Sequence, residues 1–443
     1  MMRRQLRLGL FIQETGHHIA GWRAPQAAAN AGRDFRHQVE LAKLAEAARF
    51  DLLFIQDSYA MRGANDIEAL KHTARSIHWD PITALSALAM VTERIGLIGT
   101  ATTTYNEPYT LARHFASLDH ISEGRAGWNL VTSNNEAEAL NFSRDQHAVH
   151  GDRYARAEEF LAVVKGLWDT WEDDAFVDDK QAGQFFDRAR LHVLNHKGEH
   201  FSVKGPMTLA RPPQGHPVLV QAGSSDTGKR LGAATADVIF TAQQNLEAAQ
   251  HFYADMKALA VEAGRDPGQL LIMPGLLPVV AATQAEAEAK FQALQDQVLP
   301  EVGLATLATT LGEVDLSGYD LDGPLPELPE ANGPKSRRQL LIDMARRDNL
   351  TIRQLYQRVV GARGHLTIVG TPEKVADVME QWLLEGAADG FNIMPAHLPV
   401  GLSDFTELVV PELQRRGLFR TEYEGSTLRE HLGLARPINQ HVR

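Results

Sequence analysis

One feature constrains this chain more than any other: a short, β-rich apolar run followed by a longer stretch of helical periodicity, repeated until eight strands have accumulated. The strand-like runs fall at 6–12, 52–56, 95–101, 125–131, 217–222, 237–241, 270–281 and 390–394. Helical patterns lie between and after them, over 37–50, 81–93, 111–121, 152–171, 227–234, 246–264 and 402–416. Strands fed by helices build parallel sheets, and eight of them favour a closed (β/α)8 TIM barrel over a doubly wound open sheet. The expectation is an α/β chain with one inserted barrel domain over 1–443. Two excursions exceed a minimal barrel. Residues 172–216 are rich in Asp, Gly and Pro, and 300–365 include the turn-rich string PLPELPEANGP, which is not expected to be helix or strand throughout. Each reads as a lid or as a mobile surface loop, and 300–365 is the candidate lid.

Charge and composition remove several functions. With 44 basic and 56 acidic residues the formal net charge is −12, the wrong sign for a broad phosphate-backbone footprint. The absence of cysteine excludes disulfides, thiolate nucleophiles, cysteine-held zinc and iron–sulfur clusters. Basic residues precede an apolar patch at 8–12, but the patch is too short for a signal peptide. The run 270–282 contains Pro274 and Pro278 and falls short of a membrane span. A cytoplasmic location is expected.

Catalysis on parallel barrels takes place at the carboxyl ends of the strands. Those ends carry Asp57, the series TATTTY from Thr100 to Tyr105, Asn129 with Thr132 and Ser133, and Gly223-Ser224-Ser225. Hydroxyls, an amide and one carboxylate suit a polar organic cofactor better than a divalent ion. The string AGSSDTGKR approaches a Walker A loop, but Arg230 stands where a Ser or Thr must reach magnesium. What survives is a strand, a small-residue turn and a helix start. That element can cradle a phosphate, or Ser225 or Asp226 can simply cap the helix. His147 and His150 precede Tyr154. A histidine and a tyrosine one turn apart could face an anion, although spacing alone reads as a solvated helix start. His192, His196 and His200 are interrupted by Gly198 and read as structural rather than metal-binding. WEDDAFVDD reads as a solvated acidic turn, and Trp168 with Trp171 as packing. No G-x-S-x-G elbow occurs, and no G-x-G-x-x-G follows the first strand.

Several strings then become recognisable together. LDHISEGRAGWNLVTS, DPITALSALAMVTERIGL, HGDRYARAEEFLAVVKGLWDTWEDDA, PVLVQAGSSDTG, GTPEKVADVMEQW and VPELQRRGLFRTEY resemble the flavin-dependent monooxygenases of the bacterial luciferase-like superfamily. The likeness is to the branch holding nitrilotriacetate monooxygenase component A, dibenzothiophene-sulfone monooxygenase and the pristinamycin synthase subunit. It covers nearly the whole chain, most weakly in the insert after the first strand and in 300–365. The resemblance implies the oxygenase component of a two-component system, a homodimer or homotetramer. A separate NAD(P)H:FMN reductase would supply FMNH2, and O2 would be co-substrate. A small organic substrate, an amine polycarboxylate or organosulfur compound, would be oxidised through a flavin C4a-peroxide. It also implies site residues. Asp57 would lie close to the flavin ring, Thr100 and Thr102 beneath it, and Asn129 near its pyrimidine side. His150 and Tyr154 match an H-x-x-R-Y pattern, although Gly151 stands where relatives often carry Asp. Ser225, with Ser224 beside it, matches the phosphate-binding serine. His17, with His18, and Tyr59 could face the reactive edge, so His17, Tyr59 and Asn129 are the catalytic candidates. The rivals are a barrel that holds flavin without turnover and a deazaflavin-dependent reductase, for which Arg153 and Lys229 could meet the cofactor's acidic tail.

Overall fold

The computed structural model describes residues 4–61, 67–133, 135–223, 225–312, 314–328 and 335–442. Eight strands form a closed, all-parallel barrel: β1 (Arg7–Ile12), β2 (Leu52–Ile55), β3 (Gly96–Thr102), β4 (Ala126–Val131), β5 (Val218–Gln221), β6 (Val238–Thr241), β7 (Leu271–Val280) and β8 (Gly390–Ile393). Each strand pairs with its neighbour in chain order. The ring closes where β1 meets β8, Arg7 opposite Gly390. All eight expected strands are present within one or two residues of their expected bounds.

Period-two alternation sorts the side chains. Phe11, Phe54, Ile98, Val220, Val238 and Met273 fill the barrel, with Leu428 and Leu432 also in this interior cluster. Leu8, Leu10, Leu53 and Leu97 point outward into the layer beneath the helices. Gly9 has a specific reason to lack a side chain, because a Cβ there would sit 2.3 Å from Asn392 Oδ1 across the strand pair. The expected helix at 402–416 forms with a change of pitch: Phe405–Val409 is a π segment between Val400–Asp404 and Val410–Arg415. Pro411 accounts for the irregularity, since it brings no N–H to the ladder and crowds the preceding turn.

Both excursions hold regular elements among their described residues. The first holds two small hairpins, Phe176–Asp179 with Gln184–Phe186 and His196–Lys197 with Ser202–Val203. The second is more helical than its prolines suggest, with helices Pro300–Thr310, Lys335–Arg347 and Ile352–Ala362. The turn-rich string lies between them, and its residues 329–334 fall outside the described residues. These helices have an apolar cluster of their own around Leu307, Leu341, Leu355, Tyr356 and Val359. A strand missed in the sequence, Leu366–Gly370, pairs with the far half of β7, which at ten residues outruns the barrel.

At the amino ends of the strands, buried aspartates precede three of them. Asp51 accepts from Leu8 N at 2.7 Å, Asp237 from Leu219 N at 2.8 Å and Asp389 from Ile272 N at 2.9 Å. Each carboxylate therefore ties its own strand to the one before it. Their countercharges come from far away in the chain: Arg420 on Asp51 at 2.5 Å, Arg429 on Asp237 at 2.8 Å and Lys257 on Asp389 at 3.1 Å. Among the described residues no helix is long and apolar enough to cross a membrane.

Candidate functional site

The carboxyl ends of the strands gather most of the expected residues. Thr100 on β3 lies opposite Asn129 on β4. Asn129 Nδ2 donates to Thr100 Oγ1 at 2.9 Å, and Thr100 Oγ1 donates to Ile55 O at 2.9 Å. Thr100 is thus spent on holding the amide in place. Asn129 Oδ1 is out of water and has no hydrogen-bond partner, in a side chain only 4 % exposed. An orphaned acceptor at this depth is costly unless something meets it. Two residues further along the strand, Thr102 Oγ1 accepts from Thr104 N at 3.1 Å and from Ser133 Oγ at 2.9 Å. Ser133 reaches it from a left-handed backbone conformation, φ 54°.

A second group sits at the start of the helix Asp226–Thr235, directly after β5. Ser225 is the N-cap, and its Oγ accepts from Gly228 N at 3.1 Å. The capping reading therefore holds, and it leaves the helix's first N–H groups and its positive end available to an anion. Tyr154 is buried beside it: a Cβ on Gly228 would fall 2.9 Å from the Tyr154 hydroxyl and 3.1 Å from Ser225 Oγ. Only a glycine lets these two hydroxyls share the helix start. Arg153, one residue earlier, donates Nη1 to Thr132 O at 3.1 Å and also reaches Ser133 O, which joins this group to the β3–β4 group. Ser224 lies outside the described residues, and the His150 side chain is likewise not described.

On the other flank, Asp57 Oδ1 accepts from Ser58 N at 2.8 Å and pairs with His78 Nε2 at 3.2 Å. That hydrogen bond raises the imidazole of His78 above its ordinary pKa. The Tyr59 hydroxyl accepts from Asn106 Nδ2 at 3.0 Å, and the same amide reaches Thr102 O at 2.8 Å. Burial pushes the Tyr59 phenol up, so it stays protonated. Phe11, Phe54 and Phe240 form an aromatic floor with centroids 4.8 to 5.6 Å apart.

His17 lies at the edge of that floor, fully buried, its ring edge-on to Phe11 at 4.6 Å. Nε2–H donates to Phe11 O at 2.8 Å, and Nδ1 accepts from Arg363 Nη2 at 2.9 Å. Burial, with Arg363 and Arg75 nearby, holds its pKa far below 6.5, so the ring is neutral. Both nitrogens are engaged by the protein itself. His18 is also buried, held to about 4 by burial, with Nε2 3.2 Å from Gln295 Oε1.

The motifs read as structural have structural partners. His192 pairs with Glu172 at 2.8 Å and His196 with Glu159 at 2.9 Å. Within WEDDAFVDD, Asp173 is bound by Arg211 and Arg436, so that turn is more ion-paired than a solvated face. Trp168 Nε1 and Trp171 Nε1 each donate to a carbonyl at 2.9 Å. Among the described residues no cluster of three His, Cys, Asp or Glu is arranged to hold a metal. Sequence reasoning missed Arg75, Arg363 and His78. Only His78 had a local signal, its place beside the Asp80-Pro81 helix start.

The luciferase-like monooxygenase family model matches residues 15–389. The chain is 54% identical over 443 residues to N-acetyl-S-(2-succino)cysteine monooxygenase of Bacillus subtilis strain 168, covering 100% of this chain and 99% of that protein. It is 55% identical to nitrilotriacetate monooxygenase component A of Aminobacter aminovorans, covering 98% of each. Among solved structures, riboflavin lyase with modified FMN and riboflavin superposes with a TM-score of 0.85 at 33% identity, covering 97% of this chain and 96% of that one.

Proposed function

The chain belongs to the luciferase-like monooxygenase family, and from that membership we propose that it is the oxygenase component of a two-component flavin system. A separate NAD(P)H:FMN reductase supplies FMNH2, and O2 is the co-substrate. The substrate is a small organic compound, an amine polycarboxylate or an organosulfur compound. The observation that carries the reading is the Asn129 amide, fixed by Thr100 with its Oδ1 unmatched at the mouth of the barrel. A flavin ring offers the N–H that such an acceptor lacks, so the residues fit the group.

Reduced FMN, when bound, supplies the electrons that activate O2 and pass one oxygen atom to the substrate. The chain's residues bind it, orient it and keep water out. Ser225 and Tyr154 would hold the phosphate at the helix start, with Ser224 and His150 carried as phosphate residues by the family resemblance alone. Asn129, Thr100, Thr102 and Asp57 set the ring's position. The phenylalanine floor and the described helices of the 300–365 excursion, acting as a lid, would exclude water that diverts the chemistry. Tyr59, a phenol that keeps its proton, would serve as a hydrogen-bond donor on the substrate side. His17 orients Arg363 toward the substrate side.

Anaerobic titration with reduced FMN tests the assignment, followed by single turnovers with 18O2 and nitrilotriacetate or N-acetyl-S-(2-succino)cysteine. Tight binding of FMNH2 and one labelled oxygen in the product are expected. Failure to bind reduced FMN, with binding of a deazaflavin instead, would overturn it.

A further inference from the structure

The loop after β2 brings a guanidinium to the end of β1 with one of its nitrogens unmatched. Arg75 Nη2 donates to His17 O at 2.6 Å, while Nη1 is out of water and has no hydrogen-bond partner. Glu14 is the carboxylate that faces it; burial pushes that carboxyl up from its ordinary range, Arg75 draws it back down, and Glu14 makes no hydrogen bond to Arg75 Nη1. Burial brings Arg75 down only to about 10, so it remains a cation at neutral pH. Arg363 approaches from the opposite side of the same histidine, and its Nη2 donates to His17 Nδ1 at 2.9 Å and Gln13 Oε1 at 3.1 Å. His17 and His18 are neutral and add no balancing charge. Two guanidiniums thus flank one neutral imidazole at the carboxyl end of β1.

This charge does not belong to the phosphate end of the site. Ser225 and Tyr154 stand beside β5, and in a ring of eight strands β5 is diametrically opposite β1. The arginines therefore stand on the side of the barrel away from that end. A guanidinium N–H sealed from water needs an acceptor. A carboxylate meets it best, because its planar pair of oxygens accepts charge-assisted bonds from the fork of N–H groups.

We infer that the substrate carries a carboxylate and that Arg75, assisted by Arg363 across His17, is its receptor. This rests on the assignment of the barrel mouth as the substrate site. It makes the substrate an anion and sets neutral alkanes, thioethers and sulfones aside. It also gives the 300–362 insertion a role in recognition, because Arg363 follows its last helix.

The test is calorimetric titration of the anaerobic protein, with and without reduced FMN, using iminodiacetate and succinate and then their neutral diamides. The dianions are expected to bind at least tenfold more tightly than the diamides. Arg75→Gln should cut dianion affinity by roughly ten- to a hundredfold, Arg75→Lys should recover part of it, and reduced FMN should bind all three proteins alike. If Arg75→Gln does not fold, the wild type still decides. Raising the salt from 50 to 300 mM should weaken the dianions and leave the diamides alone. Equal binding of dianion and diamide, no binding of either, or wild-type dianion affinity in a folded Arg75→Gln protein overturns the inference. A dianion preference that persists without FMN binding supports it while overturning the cofactor assignment, so the two failures are separable.

Discussion

Replacing Asn129 with leucine should move stability and cofactor affinity in opposite directions. Leucine has nearly the shape of asparagine and removes both polar atoms of the amide at once. In the protein alone, one of those atoms makes a 2.9 Å bond to Thr100 and the other is buried and unmatched. An ordinary bond contributes about 1 kcal/mol, whereas an unmatched buried acceptor costs about 1–3 kcal/mol. Thr100 keeps its own bond to Ile55 O, so no new orphaned donor appears. The variant without flavin should therefore be as stable as the wild type or more stable by up to about 2 kcal/mol. Reduced FMN should bind it roughly 5- to 150-fold more weakly, the same 1–3 kcal/mol lost when a matched acceptor disappears. Urea denaturation of the flavin-free proteins gives the first quantity, and anaerobic fluorescence titration with reduced FMN gives the second. A variant destabilised by more than about 2 kcal/mol that still binds reduced FMN like the wild type would refute the reasoning, because the amide would then be structural.

Three other perturbations probe separate parts of the molecule. Arg429→Met leaves Asp237 buried without its cation and should cost about 3–5 kcal/mol in urea denaturation, with reduced-FMN affinity of the folded fraction unchanged. Ser225→Ala should weaken reduced-FMN binding by about 1 kcal/mol or more and lower the melting temperature through the lost cap; unchanged affinity would remove Ser225 from the site. The His78–Asp57 pair raises the histidine's pKa above its ordinary 6.5, so its contribution to stability is fully present below that value and is lost as pH rises through the raised one. The stability difference between wild type and His78→Gln should accordingly shrink from pH 6 to pH 8, and a pH-independent difference would count against the pair.

The sequence was most informative where chemistry and periodicity coincide. Thr100 and Asn129 could be placed at adjacent strand ends because β3 and β4 alternate cleanly, and Ser225 because a strand, a small-residue turn and a helix follow one another within a dozen residues. Arg75 and Arg363 were invisible for the opposite reason. They lie 288 positions apart in irregular segments and meet only because both fold onto the turn after β1. The insertion was legible only in part. Its proline-rich string punctuates the space between helices, yet it drew attention away from Thr351 and Gln354, a capping box that opens the amphipathic helix Ile352–Ala362.

The aspartates beneath the strands also set an order of events during synthesis. Asp51 and Asp237 are made early, but Arg420 and Arg429, which neutralise them, leave the ribosome 369 and 192 residues later. Until then these carboxylates lack the guanidiniums that hydrogen-bond to them, and sealing them away from water costs more. The base of the ring gains its last two ion pairs only once residue 429 has emerged. A chain stalled or truncated before that point exposes apolar strand faces and is a natural client for chaperones and proteases.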